Sequence, residues 1–354
     1  MPAELDVTLV KPLERDAADL KIGVVGGGSW GTALANLLAV KGYAVDLWVF
    51  ESDVIAQIER ERENKAFLPG IRLADTLMPT ADITAAAAAK ELVVIVVPSH
   101  VMREVSARIS RTLDPDAIVV TASKGIENAS HLTMTGVLKQ TLPHTAHTHL
   151  AVLSGPSFAR EVAKGFPTAV TVAAAELAVA GLVQRVFATA TFRVYTNTDV
   201  LGVELGGAVK NVIAIAAGVI DGLGLGLNTR AALITRGQTE IRRLGVALGA
   251  RPRTFTGLAG IGDLILTCTG SLSRNHSLGR KIGRGMKLKD ILADMHMVAE
   301  GVKTSKSVYN LSRKIGVDMP ICHAIYHTLY DDLAPEEALR RLMARELKYE
   351  LDEE

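Results

Sequence analysis

The chain has 354 residues, 48% of them apolar and only 4% aromatic; this is too long for one ordinary hydrophobic core and rich in the small side chains of packed helices. Lys and Arg number 39 against 38 Asp and Glu, a net charge of +1, so the molecule as a whole offers no field that would gather nucleic acid or a membrane surface. Its two cysteines, Cys268 and Cys322, make neither a disulfide framework nor a metal-binding set and fit a reducing compartment.

Residues 1–20 are polar and mixed in charge, with Pro2 and Pro12; they read as a flexible arm that lacks the apolar segment of a secretory signal. Structure is expected from Lys21. Ile22-Gly23-Val24-Val25 is an apolar run ending in Gly26, Gly27 and Gly28, a buried strand entering a tight turn. Residues 32–41 place Ala and Leu at helical spacing and stop at Gly42. A second strand follows over residues 43–50 (YAVDLWVF), then a charged helix over 53–64. Further strands are predicted at 92–97 (LVVIVV), 117–121 and 151–153, and the alanine run 85–89 reads as a helix face. Apolar strands alternating with helices imply a parallel sheet covered on both faces. Residues 21–205 are therefore expected to form an N-terminal Rossmann-like, doubly wound α/β domain.

Beyond Leu205 the pattern changes. Residues 206–220, 230–249, 278–284, 287–295, 303–315, 324–332 and 335–346 all read as helices, which predicts an all-helical C-terminal domain over 206–354. The longest apolar stretch, 212–220, is nine residues long and stops at Asp221, whereas a bilayer span needs about 20. A soluble, cytoplasmic protein is the expectation.

Gly26-x-Gly28-x-x-Gly31 lies where the first strand becomes the first helix. In that context the glycines permit a tight turn and a close approach of the backbone to a pyrophosphate, and the helix N-terminus supplies N–H groups and partial positive charge. The bland alternative is a turn chosen for packing. Ser29 and Trp30 sit inside the turn, where they can touch or shield phosphates. An acid at the end of the second strand would bond ribose hydroxyls, and a basic residue would favour a 2′-phosphate. Glu51 lies 20 residues beyond Gly31 and suits the first role or is simply solvated. With no Lys or Arg in reach, NAD is mildly favoured over NADP.

Three more segments end strands: Val97-Pro98-Ser99-His100, Thr121-Ala122-Ser123-Lys124-Gly125 and Ser154-Gly155-Pro156-Ser157-Phe158. Ligands of open parallel sheets bind at such ends, so Lys124 is a cation delivered to the crevice, or else a surface lysine in a turn. Lys210 and Asn211 interrupt an apolar helix one turn after Gly206 and Gly207. A desolvated lysine has a lowered pKa and can transfer protons near neutrality, which is what reduction of a ketone demands; the alternative is a snorkelling lysine. Gly257-Leu-Ala-Gly260-Ile-Gly262 leads Asp263 into a short apolar helix, where an acid can orient a lysine. Ser273-Arg274-Asn275 opens the next helix and suits a phosphate dianion, or merely caps that helix.

The segments GGGSWGTALA, VVPSH, ASKGIE, SGPSFA, GAVKNVIAIAAG, NTRAALITRG, GLAGIGDLILTCT and SRN occur in order. Together they resemble the bacterial-type NAD(P)-dependent glycerol-3-phosphate dehydrogenases, over about residues 21–342. The resemblance implies a Rossmann-like domain plus a helical domain, usually as a homodimer. It also implies reversible hydride transfer between NAD(P)H and dihydroxyacetone phosphate to give sn-glycerol 3-phosphate, a phospholipid precursor. It makes Lys210 the proton donor and acceptor, aided by Lys124 and Asp263. Lys124, Gly155, Ser157, Lys210, Asp263, Ser273, Arg274 and Asn275 are assigned to the substrate. Gly26, Gly28, Ser29, Trp30, Gly31, Phe50, Lys124, Ala159, Arg274, Val298 and Glu300 are assigned to NAD or NADP. Phe50 stands where relatives often have His or Arg, which departs from a 2′-phosphate contact there. No metal is expected, although His144, His147 and His149 crowd one stretch and His323 and His327 lie four apart. Two other readings compete: a β-hydroxyacid dehydrogenase of the same architecture, and a non-catalytic nicotinamide sensor.

Overall fold

Short, fully apolar runs punctuated by glycine set the first half of the chain. A computed structural model describes residues 20–295, 299–347 and 349–350; the arm expected over residues 1–20 lies outside them except for Leu20, and so does Val298. In chain order the elements of the sheet region are β1 (Lys21–Val25), α1 (Ser29–Val40), β2 (Ala44–Trp48), α2 (Ser52–Glu61), β3 (Leu77–Thr80), β4 (Leu92–Ile95), α3 (Met102–Ile109), β5 (Ile118–Thr121), α4 (Met134–Thr141), β6 (Leu150–Ser154), α5 (Ala159–Ala163), β7 (Thr168–Ala174), α6 (Leu177–Phe187) and β8 (Phe192–Asn197).

These strands form one eight-stranded sheet in the order β3-β2-β1-β4-β5-β6-β7-β8. β4, β5 and β6 are buried along their whole length because helices cover both faces. The chain leaves β1 toward β2 and β3 on one side and resumes at β4 on the other. The resulting crevice between the carboxyl ends of β1 and β4 is the ligand-binding position of such sheets.

The sheet exceeds the expectation by β3, β7 and β8. β3 (LMPT) carries Pro79 and lies on the edge, where a missing N–H is tolerated. β8 alternates buried Phe192 and Val194 with exposed Arg193 and Tyr195, an edge strand with one covered side. β7 runs antiparallel to β6, against the all-parallel expectation. The residues joining them are taken up by the Gly155 turn and by α5, which packs on α1, so the chain re-enters the sheet from the end at which it left. The alanine run is no helix either: residues 83–87 form successive turns, opened by Asp82 Oδ1 accepting from Thr84 N at 2.8 Å, and Ala89 is left-handed at φ 52°.

The second half packs around α7 (Val200–Gly222), which is buried from Gly202 to Ile220. It begins six residues before the predicted start because Asp199 caps it, accepting from Gly202 N at 3.0 Å. This helix is long and apolar enough to cross a membrane, and it is wholly enclosed by the fold. Around it lie α8 (Leu227–Ala247), α9 (Asp263–Thr269), α10 (Arg274–Gly283), α11 (Leu288–Ala293), α12 (Glu300–Ile315), α13 (Pro320–Tyr330) and α14 (Pro335–Met343). α7 and α10 approach to backbone contact. A Cβ on Gly218 would stand 2.1 Å from His276 O, and one on Gly279 would stand 2.0 Å from Ile215 O. That approach sets the start of α10 beside the middle of α7.

Candidate active site

A cleft of about 830 Å³ runs from the end of β2, over the β1–α1 turn, to the starts of α9 and α10. At the turn, Gly26 has φ +127° and a Cβ on Gly31 would meet Gly26 O at 1.8 Å, so both glycines are demanded by the protein's own backbone. Gly28 differs. A Cβ there would meet nothing within 4 Å, so the bare backbone faces the cleft. α1 starts with no side-chain cap and no acid in its first turn, an N-terminus suited to an anion. Trp30 Nε1 is buried without a hydrogen-bond partner among the described residues, a donor that a bound anion can satisfy. The loop after α2 fastens the turn: Asn64 Nδ2 donates to Gly27 O and to Thr32 Oγ1, both at 2.9 Å, and Ser29 Oγ donates to Phe67 O. Open backbone, unopposed helix terminus and orphaned donor together fit a dinucleotide pyrophosphate.

Further along the cleft, two lysines share one carboxylate. Lys210 Nζ, on α7, donates to Asp263 Oδ1 at 2.5 Å and to Thr267 Oγ1 at 2.7 Å. Lys124 Nζ, after β5, donates to Asp263 Oδ2 at 2.7 Å and to Gly155 O at 3.2 Å. Asp263 is 1% exposed and Lys210 5%, so the cluster is nearly dehydrated. Burial pulls the Lys210 ammonium from 10.5 down to about 8, against the opposing charge of Asp263 and with help from the charge of Lys124. An amine that gains and loses a proton near neutrality thus faces the cleft.

The start of α10 forms the far wall. Ser273 caps the helix by accepting from His276 N at 3.2 Å, so the capping alternative holds for it even though it also lines the cleft. Arg274 lines the cleft with an exposed side chain, and Asn275 Nδ2 donates to Asn211 Oδ1 at 2.9 Å while its Oδ1 accepts from Gly301 N at 2.9 Å. At the start of α12, Glu300 reaches across to the sheet region and accepts from Ser99 Oγ at 2.6 Å; burial holds its carboxyl above the ordinary range.

One cleft therefore gathers Gly26, Gly28, Ser29, Trp30, Gly31, Phe50, Lys124, Ser157, Ala159, Lys210, Asp263, Ser273, Arg274, Asn275 and Glu300 from both halves of the chain. Gly155 stands behind the wall, holding Lys124 through its carbonyl. Among the residues outside the predicted set, Thr267, Asn211 and Arg108 also line the cleft. Thr267 is legible only as one helical turn from Asp263, and Arg108, which comes from α3 far along the chain, corrects the expectation that no Lys or Arg is in reach of the end of β2. Of the histidines, His323 and His327 have other partners: His323 Nε2 lies 2.8 Å from Ser312 Oγ and His327 Nδ1 2.6 Å from Asp331 Oδ2.

A glycine-turn crevice at the switch of a doubly wound sheet, with a buried amine opposite, defines a dinucleotide-dependent oxidoreductase of the Rossmann class. Residues 21–180 match the family described as NAD-dependent glycerol-3-phosphate dehydrogenase N-terminus, and residues 199–340 match its C-terminus. Glycerol-3-phosphate dehydrogenase [NAD(P)+] of Geobacter sulfurreducens is 56% identical over 330 residues, covering 93% of this chain and 98% of that protein. The same-named protein of Myxococcus xanthus is 52% identical over 328 residues, covering 93% and 98%. The crystal structure of glycerol-3-phosphate dehydrogenase from Coxiella burnetii superposes with a TM-score of 0.88 at 39% identity, covering 92% of this chain and 99% of that one. This chain belongs to the NAD-dependent glycerol-3-phosphate dehydrogenase family.

Proposed function

We propose that the protein reduces dihydroxyacetone phosphate to sn-glycerol 3-phosphate, reversibly, with NADH or NADPH. Residues 21–205 would hold the dinucleotide and residues 206–354 supply the reacting amine. Gly26, Gly28, Ser29, Trp30 and Gly31 hold the pyrophosphate, with Phe50, Ala159, Arg274 and Glu300 along the rest of the dinucleotide. When bound, the dinucleotide supplies the hydride.

The chain's own side chains do the remainder. Arg274, with Ser273 and Asn275, holds the phosphate dianion of the triose. Lys210 donates a hydrogen bond to the C2 carbonyl oxygen, polarises it, and gives up its proton as the oxygen becomes an alkoxide; in the reverse direction it takes that proton back. Asp263 fixes the amine, and Lys124, held from behind by the Gly155 carbonyl that Ser157 also bonds, steadies the same oxygen from the sheet side.

The observation that carries this reading is the buried Lys210–Asp263–Lys124 bridge opening on the cleft. A non-catalytic sensor has no use for an amine kept near its titration point. Oxidation of NADH and of NADPH, followed by absorbance with dihydroxyacetone phosphate as the acceptor, tests the proposal, and a β-hydroxyacid that turns over faster than the triose phosphate would overturn it. Two buried free cysteines fit a cytoplasmic home. The homodimer rests on the family resemblance and is tested by light scattering of the purified protein.

A further inference from the structure

The end of β2 carries no cation of its own. Phe50 and Glu51 follow Trp48 there, and Phe50 is 78% exposed. A cation reaches this end of the cleft from another element: Arg108, on α3, lines it together with Phe50 and Glu51. Its guanidinium carbon lies 5.7 Å from the centroid of the Trp48 ring. That ring is itself fixed. Trp48 is 6% exposed, its Nε1 donates to Ala81 O at 3.1 Å, and Phe50 packs against it edge-on at 6.3 Å. The guanidinium is thus held by stacking, which leaves its N–H donors available. It forms no ion pair or hydrogen bond with another described residue. Of the nearby acids, Asp82 feels its charge at longer range, and Glu51 and Glu104 line the same end of the cleft.

In strand–turn–helix dinucleotide sites the adenosine ribose lies at the end of the second strand. There an acid bonds its 2′-hydroxyl, and an arginine nearby accommodates a 2′-phosphate. We propose that Arg108 is the residue that admits the 2′-phosphorylated dinucleotide, pairing with its phosphate, while Glu51 accepts from the 2′-hydroxyl of the unphosphorylated one. Admission of the 2′-phosphate then depends on a cation from α3 rather than on one at the β2 terminus. This rests on reading the Gly26–Gly31 turn as a dinucleotide site, and it is independent of which ketone is reduced.

Calorimetric titration of the purified chain with NADPH and with NADH, without substrate, tests it in the wild type, Arg108→Ala and Glu51→Gln. Loss of a charge-assisted phosphate pair in Arg108→Ala should weaken NADPH about 10- to 100-fold, with NADH changed less than about twofold and the salt dependence of NADPH binding reduced. Glu51→Gln should weaken NADH and spare or tighten NADPH. Equal weakening of both dinucleotides by Arg108→Ala would mean that the guanidinium only stacks on the adenine, and would overturn the assignment. Unchanged NADPH affinity would overturn it too. Because no turnover is read, failure of the dehydrogenase reading shows separately, as dinucleotides that bind but are not oxidised with dihydroxyacetone phosphate.

Discussion

Lys210 Nζ and Asp263 Oδ1 meet at 2.5 Å across 53 residues of sequence, in a site where both side chains are almost fully enclosed. A pair so dehydrated adds little net stability over an apolar substitute. Its value lies in fixing one amine in one place. Replacing Lys210 by Ala should therefore cost turnover, by about 10²- to 10⁴-fold in kcat, while the affinity for NADH, bound at the glycine turn, stays within about twofold. Steady-state kinetics alongside calorimetric titration separate the two effects. Turnover close to wild type would remove Lys210 from the chemistry.

The same amine sets a pH dependence. Its folded pKa is about 8, below the ordinary 10.5, chiefly through burial. Ketone reduction needs the protonated amine, so its kcat should be level at low pH and fall about tenfold per pH unit above the inflection near 8. Oxidation of glycerol 3-phosphate needs the free amine and should rise toward the same inflection. Asp263→Asn removes the charge that opposes burial and should shift the inflection downward. On stability the sign is opposite to that of a cation gaining a partner: the unfolded chain binds more protons between about 8 and 10.5, so this group's cost to the fold shrinks as pH rises through that window. A pH–rate profile with no inflection near 8 would exclude Lys210 as the proton donor.

Much of this site was legible along the chain because its cues are local. The Gly26–Gly31 spacing after an apolar run, and one lysine in a helix of Val, Ile and Ala, each carry their meaning within a few residues. The remaining parts depend on distant pairing. Asn64 reveals nothing until α2 folds back to place it on Gly27 O, and Arg108 becomes a cleft residue only because β2 and α3 converge. The edge strands were hidden for a different reason. β3 contains a proline and β8 alternates, so neither shows the continuous apolar run of a central strand, and their assignment rests on neighbours far along the chain.

The proposed phosphate receptor predicts a separable defect. Arg274 lines the cleft at the first turn of α10, and its removal should leave the Lys210–Asp263 bridge in place. Arg274→Ala should raise KM for dihydroxyacetone phosphate about 10- to 100-fold, the worth of a charge-assisted hydrogen bond. Added inorganic phosphate or phosphite should inhibit the wild type more than the variant. An unchanged KM would release Arg274 from contact with the substrate.

A second buried carboxylate governs stability rather than chemistry. Glu240, 3% exposed on α8, accepts from Ile321 N at 2.7 Å and from Cys322 N at 3.1 Å, so it caps the start of α13 from a neighbouring helix. Burial pushes its carboxyl from 4.5 up to about 7, although those two donors pull the other way. A raised folded pKa means that the associated stability is present below about 4.5 and is lost as pH rises to about 7, by about 3 kcal/mol at most. Glu240→Gln carries no titrating proton, so its Tm should fall less than the wild type's between those pH values. Parallel Tm curves for the two proteins would refute the titration.

The packing of α7 on α10 ties the core to the proposed site. A methyl at Gly279 would lie 2.0 Å from Ile215 O and 3.0 Å from Val219 N, both backbone atoms that cannot rotate away. Gly279→Ala must therefore push the two helices apart, at a cost of about 1–3 kcal/mol. α7 carries Lys210 and Asn211, while α10 begins with Arg274 and Asn275, and the 2.9 Å bond from Asn275 to Asn211 spans the junction. Separation would stretch that bond and move the phosphate receptor away from the amine. A lowered Tm should thus come with a raised KM for dihydroxyacetone phosphate and a lower kcat, with NADH affinity nearly unchanged. Gly181 in α6 is the internal control. A Cβ there meets only the flexible Arg185 Nη1 at 3.7 Å, so Gly181→Ala should stabilise by about 0.5–1 kcal/mol and leave both constants alone. If Gly279→Ala lowers Tm without touching KM, the helix junction serves stability only and does not set the distance between anion receptor and proton donor.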